Sequence, residues 1–208
     1  MKQIFKHTLK SYFLISLIGC IIGLVTRLTD FFPNDTIWGF SSIATLFGFW
    51  IISATIIVYF SSSNINAGLN VFLYLFLMSL IFYASQLIFG EMFHLFENEF
   101  KTELLVLYAG ASVCAGICGY ILYFWNKGTA FSNILYALPV GILSSEAIGL
   151  FIYFVKNSMW LFQLLMDIIG VIVLGVLFYK KVSNKLIYSV SVITISMLGY
   201  FGFYALFI

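Results

Sequence analysis

Seven apolar runs, each close to the length of a membrane span, constrain this chain more than any other feature. A bilayer core about 30 Å thick takes roughly 20 helical residues at about 1.5 Å each. That ruler places spans near residues 11–28, 37–60, 69–89, 104–125, 134–155, 159–179 and 186–208. The runs are continuous, whereas the strands of a membrane barrel alternate in character over about ten residues. The predicted fold is therefore all-α: a polytopic transmembrane bundle of seven helices in a single integral membrane domain, residues 1–208.

Only 9% of the residues are charged and 62% are hydrophobic, with a mean hydropathy of +1.08. A soluble domain carries roughly 25% charged residues. This balance excludes a soluble enzyme, a nucleic-acid binder and a secreted disulfide scaffold, and makes the lipid bilayer the main partner. Cys20, Cys114 and Cys118 all lie inside apolar runs, with no framework spacing.

Short loops orient the bundle, because cytoplasmic loops collect Lys and Arg. Seven of the ten basic residues fall on one side: Lys2, Lys6, Lys10, Lys127, Lys180, Lys181 and Lys185. The other side holds Arg27, Lys101 and Lys156 with Asp30, Asp35, Glu91, Glu97, Glu99 and Glu103. The expectation is a cytoplasmic N-terminus and an outside C-terminus, with Trp38 and Trp160 in the outer aromatic belt and Trp125 in the inner one. Leu17-Ile18-Gly19-Cys20 also resembles a lipoprotein cleavage box, but the apolar run continues through Val25, which favours a spanning helix.

Two further patterns bear on packing. The fourth run carries Gly110, Ala111, Ser112, Cys114, Ala115, Gly116, Cys118 and Gly119 on several faces, as a central helix enclosed by neighbours would. In the longest outer loop, Met92, Phe93, Phe96 and Phe100 recur at helical spacing, which suggests a short surface helix. An offset of 122 residues pairs Gly19 with Gly141, Phe32 with Phe154, Trp38 with Trp160, Phe40 with Phe162 and Gly48 with Gly170. Identities at that offset are no more frequent than this composition produces by chance, so a three-plus-one-plus-three duplication has little sequence support.

The costliest residues are Glu146 and Asp167, since a carboxylate at mid-membrane costs about 2.5–3.5 kcal/mol to insert. Glu146 lies nine residues before Val155 and Asp167 eight after Met159. Both are thus expected roughly 12–14 Å below the outer end of a helical hairpin, facing one cavity. Two close carboxylates resist double ionisation and can share a proton. Arg27, Gln86 and Gln163 fall in the same outer half and complete a candidate ligand-binding set, with Ser41, Ser42, Ser85, Ser144 and Ser145 nearby in depth. Pro139 and Gly141 precede Glu146 and are expected to kink its helix. His7 and His94, the two histidines, lie outside the runs, and no zinc-protease motif, phosphate loop or cofactor motif is present. No nucleophile, base and orienting group stand together, which argues against an enzyme.

Three stretches, Thr26-Arg27-Leu28-Thr29-Asp30-Phe31-Phe32-Pro33, Phe40-Ser41-Ser42-Ile43-Ala44-Thr45-Leu46-Phe47-Gly48 and Leu138-Pro139-Val140-Gly141, resemble small multi-spanning membrane proteins of Firmicute-type bacteria. The resemblance covers most of the chain and implies a multi-pass protein of a bacterial cytoplasmic membrane. It brings no activity, cofactor or site residue with it.

Two functional readings follow. In the first, an outward-facing polar cavity binds or transports a small polar or cationic solute, with Glu146 and Asp167 as its core. In the alternative, the chain is a non-catalytic accessory or structural subunit whose intramembrane polar residues fix helix packing and whose apolar faces meet a partner membrane protein. Any energy for transport comes from an ion gradient or a partner, since no nucleotide-binding motif is present.

Overall fold

A computed structural model of the chain describes residues 4–44, 46–93 and 101–206. Those residues form seven α-helices: α1 (Leu9–Thr29), α2 (Phe47–Phe60), α3 (Asn64–Phe93), α4 (Thr102–Leu122), α5 (Ala130–Asn157), α6 (Leu161–Tyr179) and α7 (Lys185–Gly202). All but α2 are long and apolar enough to cross a membrane. Polar side chains start several of them. Thr8 accepts from the Ser11 amide ahead of α1 and Asn184 from the Ile187 amide ahead of α7. Thr129 and Ser132 form a reciprocal capping box at α5, satisfying amides that lack helical partners.

The chain groups into two compact units: Met1–Phe31 with Ile56–Tyr123, and Phe32–Thr55 with Phe124–Ile208. In the first, α3 packs on both α1 and α4. Glycines set the approach: a Cβ on Gly19 would stand 2.6 Å from the Tyr74 carbonyl oxygen, and one on Gly23 would collide with that of Met78. Across the other seam, a Cβ on Gly68 would meet the Gly116 carbonyl oxygen at 2.9 Å and one on Gly116 that of Gly68 at 3.1 Å. Lipid supplies no hydrophobic drive between helices, so such close backbone contact is the main attraction. The expected central place for α4 is not what forms. Within this unit Gly116 and Gly119 face α3 along one edge, while Gly110, Ala111, Cys114 and Cys118 are exposed.

In the second unit α5 packs on both α6 and α7. The helix runs unbroken through Pro139. A Cβ on Gly141 would press on Ile195 at 2.7 Å, and one on Gly199 on Ser145 at 2.6 Å. Ser196 donates to the Gly141 carbonyl across the same seam, at 3.2 Å. Trp125 is not a belt residue: it is 1% exposed, stacked on Tyr136 with ring centres 5.1 Å apart and packed on Phe178. Ring packing on both sides buries it although its indole Nε1 has no hydrogen-bond partner among the described residues.

The second expected span, 37–60, is the one the structure rewrites. Its helical part, α2, has only 14 residues, about 21 Å against the roughly 30 Å of the bilayer core. Gly39 (φ 54°) turns the chain, and a 3-10 turn follows at Phe40–Ala44. Thr36 accepts from the Gly39 amide at 3.2 Å and Asn34 from the Ser41 hydroxyl at 3.0 Å. These local bonds compete with a regular helix. Two other boundaries move: α3 begins at Asn64, with Asn66 and Asn70 buried and bonded to Ser62 and Ser61, and α7 ends at Gly202 before a 3-10 turn, Tyr204–Leu206. The core of the expected outer-loop helix, with His94, Phe96, Glu97, Asn98, Glu99 and Phe100, lies outside the described residues.

Candidate functional site

A helix start leaves its first amides without a partner inside the helix, and each needs one from elsewhere. At the start of α2 that partner comes from α5. Glu146 Oε1 accepts from the Phe47 amide at 2.9 Å. The helix N-terminus, equivalent to roughly half a positive charge, favours the carboxylate in turn. The buried Tyr204, from the turn after α7, lies within electrostatic reach of the same carboxylate.

Asp167 stands one turn along α6 from Gln163, whose Nε2 donates to Asp167 Oδ1 at 2.9 Å. Both press on the first turn of α2 at Gly48. A Cβ there would fall onto Asp167 Oδ1 and stand 2.7 Å from Gln163 Nε2. Asp167 is also within electrostatic reach of Glu146. One turn further, Gly170 makes room for Ile52, so α2 lies against α6 through a glycine from each helix. The upstream end of the break is fastened as well. Ile37 and Trp38 carbonyls accept from the Leu161 and Phe162 amides, at 2.9 and 3.3 Å, which caps α6. Trp160, held at φ 66°, donates to Asn34 at 3.0 Å and stacks on Tyr153.

Glu146, Asp167 and Gln163 are each 0% exposed. Three of their oxygens, Glu146 Oε2, Asp167 Oδ2 and Gln163 Oε1, are buried without a hydrogen-bond partner among the described residues. No Lys or Arg contributes to the surroundings of either carboxylate there.

The five expected ligand residues therefore divide. Glu146, Asp167 and Gln163 come together in the second unit, while Arg27 and Gln86 belong to the first. Arg27 Nη1 donates to Asp30 Oδ2 at 2.8 Å, and its guanidinium lies 5.3 Å from the centre of the Phe82 ring. Gln86 is buried on α3. Asp30, just past the end of α1, has its carboxyl pushed up by burial, with Arg27 pulling the other way. Sequence reasoning missed the Phe47 amide, Gly48 and Tyr204. The usable signal was Gly39, Ser41, Ser42 and Gly48 in what reads as one apolar run, since glycine and serine together weaken a helix.

Two apolar grooves lie elsewhere. One of about 500 Å³ runs along Val140, Val176, Tyr188 and Val192, and one of about 440 Å³ along Gly68, Phe72, Gly116 and Tyr120. Among the described residues no three His, Cys, Asp or Glu side chains are placed to hold a metal ion. Comparison with protein-family models finds no match, and no curated protein and no solved structure matches the chain.

Proposed function

We propose that this chain is a small-solute binding or transport protein of a bacterial cytoplasmic membrane, working at the broken second helix. The observation that carries the reading is the hydrogen bond from the Phe47 amide to Glu146. Transporters place discontinuous helices near mid-membrane, with half-helix ends facing charged groups, because unwound backbone there can meet a solute or an ion. Glu146 and Asp167 would take a polar or cationic solute from outside, after α2 and its preceding turn part from α5 and α6. The distribution of Lys and Arg supports an N-terminus in the cytoplasm and a C-terminus outside. Maleimide labelling of Asn98→Cys in intact cells tests that orientation, and labelling only after permeabilisation reverses it.

A second reading has its own support. Complete burial of the three side chains suits an accessory subunit in which the carboxylates serve only to start α2. A thermal-shift screen against amines, sugars, vitamins and small cations separates the two, run beside Glu146→Gln and Asp167→Asn. A solute that raises the wild-type midpoint, with the rise lost in both variants, supports binding. No shift from any solute, with both variants as stable as wild type, moves the reading to the accessory subunit.

A further inference from the structure

Glu146 and Asp167 together bring two negative charges to a site without exposure. The start of α2 offsets roughly half a charge. What remains is about one and a half negative charges in a medium where an uncompensated charge is severely penalised. Their hydrogen-bond donors among the described residues are both neutral: the Phe47 amide and the Gln163 amide. Each takes one side of a carboxylate, and three acceptor oxygens from three side chains stay without a donor. Buried acceptors in native proteins almost always have a partner, so three orphans in one cluster point to something that binds there.

We propose that Glu146, Asp167 and Gln163 bind one monovalent cation, a proton or Na+, at the start of α2. The charge sum leaves about half a charge with either one or two positive charges bound. The small donor set decides for single valence, since three orphaned oxygens are too few for Ca2+, which takes roughly six to eight, or for octahedral Mg2+. Oxygen-only donors suit both ions. A proton held by one carboxylate supplies the missing donor to a second oxygen, and Na+ is met by carboxylate and amide oxygens alike. Gly48 lets Asp167 and Gln163 press directly on the first turn of α2, because any side chain there would collide with them. The ion deepens the solute-transport reading by naming a coupling ion at the same site.

Other titratable groups on the elements around the cluster are turned elsewhere. On α5, Tyr136 stacks on Trp125, Tyr153 stacks on Trp160 and Lys156 is exposed at the helix end. On α6, Tyr179 lies under Lys185 of α7. On α7, Tyr188 donates to the Gly175 carbonyl and Tyr200 packs on Phe201. The turn Phe40–Ala44 and α2 as far as Thr55 carry none. Tyr204 is the one further group at the carboxylates.

The test is the melting midpoint of the purified full chain with no solute present, so it can fail independently of the transport reading. It is measured from pH 5 to pH 9 in choline chloride, then with NaCl replacing choline at constant ionic strength. For Na+, the midpoint at high pH rises by about 5–10 °C at a concentration 100-fold above the dissociation constant. For a proton, Na+ has no effect and the midpoint falls as pH rises. In both cases Glu146→Gln and Asp167→Asn lose the response of the cluster, while Asp30→Asn, which removes only the separate slope of that carboxyl, keeps it. Should both carboxylate variants fail to fold, Gln163→Met, which removes one of the three oxygens, must weaken the ion response at least tenfold in concentration. A wild-type midpoint indifferent to both Na+ and pH, or a response retained in the cluster variants, overturns the proposal.

Discussion

The α1–α3 seam and the α5–α7 seam touch at corresponding residues, yet only one carries buried acid. Gly19 faces Tyr74 and Gly23 faces Met78, while Gly141 faces Ile195 and Ser145 faces Gly199. Moving the first set by 122 residues lands on the second to within one residue, the offset that sequence identity alone left at chance level. The packing is kept, but the glycine at the second contact has changed helix, from Gly23 on α1 to Gly199 on α7. One residue past that contact the pairs diverge fully. Leu24 is exposed in the first, and Glu146 is 0% exposed and capping α2 in the second. A helix crossing needs only small volume at the seam, so its chemistry is free to change around it.

The largest expected effect is at the seams. Gly23→Ala drives a methyl into the Met78 backbone carbonyl, which cannot swing aside. Overpacking of this kind costs typically about 1–3 kcal/mol, and unfolding titrations in mixed micelles should read the upper part of that range. Gly199→Ala meets only the Ser145 side chain, so adding Ser145→Gly should return most of the loss. Failure of that rescue would break the equivalence of the two crossings.

Next comes the cap. Glu146→Leu makes the second pair resemble the first and strands the Phe47 amide, at a cost of about 1–3 kcal/mol for a buried unsatisfied donor. Faster hydrogen exchange should be confined to the first turn of α2. Unchanged exchange at Phe47 would show that the bond does not hold the helix start. On α4, Gly110 has nothing within 4 Å of an added Cβ. Gly110→Ala should therefore stabilise by about 0.5–1 kcal/mol through helix propensity alone, and a loss would show that an outside partner packs there.

The smallest effect is a pH slope in the first unit. Burial raises the Asp30 carboxyl above its ordinary value, so the folded chain holds that proton at pH values where the unfolded chain has released it. Stability from this group is complete below the unfolded value and is lost as pH rises through the folded one. Asp30→Asn should flatten the slope between those two values, and a steeper slope in the variant would contradict the assignment.

Apolar length and continuity were enough to place six helices, four of them to within four residues at both ends, because in lipid a backbone must satisfy itself and a helix is the cheapest way to do so. The same reasoning singled out Glu146, Asp167 and Gln163 as polar groups costly to bury, and the structure brings the three together. Three features escaped it. The break in the second span is written in Gly39 and a few hydroxyls, which hydropathy counts as small perturbations. Trp125 reads as an interface residue until Tyr136 and Phe178 close around it. Arg27 reads as a partner for the deep carboxylates until Asp30, three residues on, takes it. The sequence by itself determined how many helices this chain makes and which residues are expensive to bury. Which of those residues meet was decided by tertiary structure alone, since Glu146 and Phe47 stand 99 positions apart and only packing brings that carboxylate to that amide.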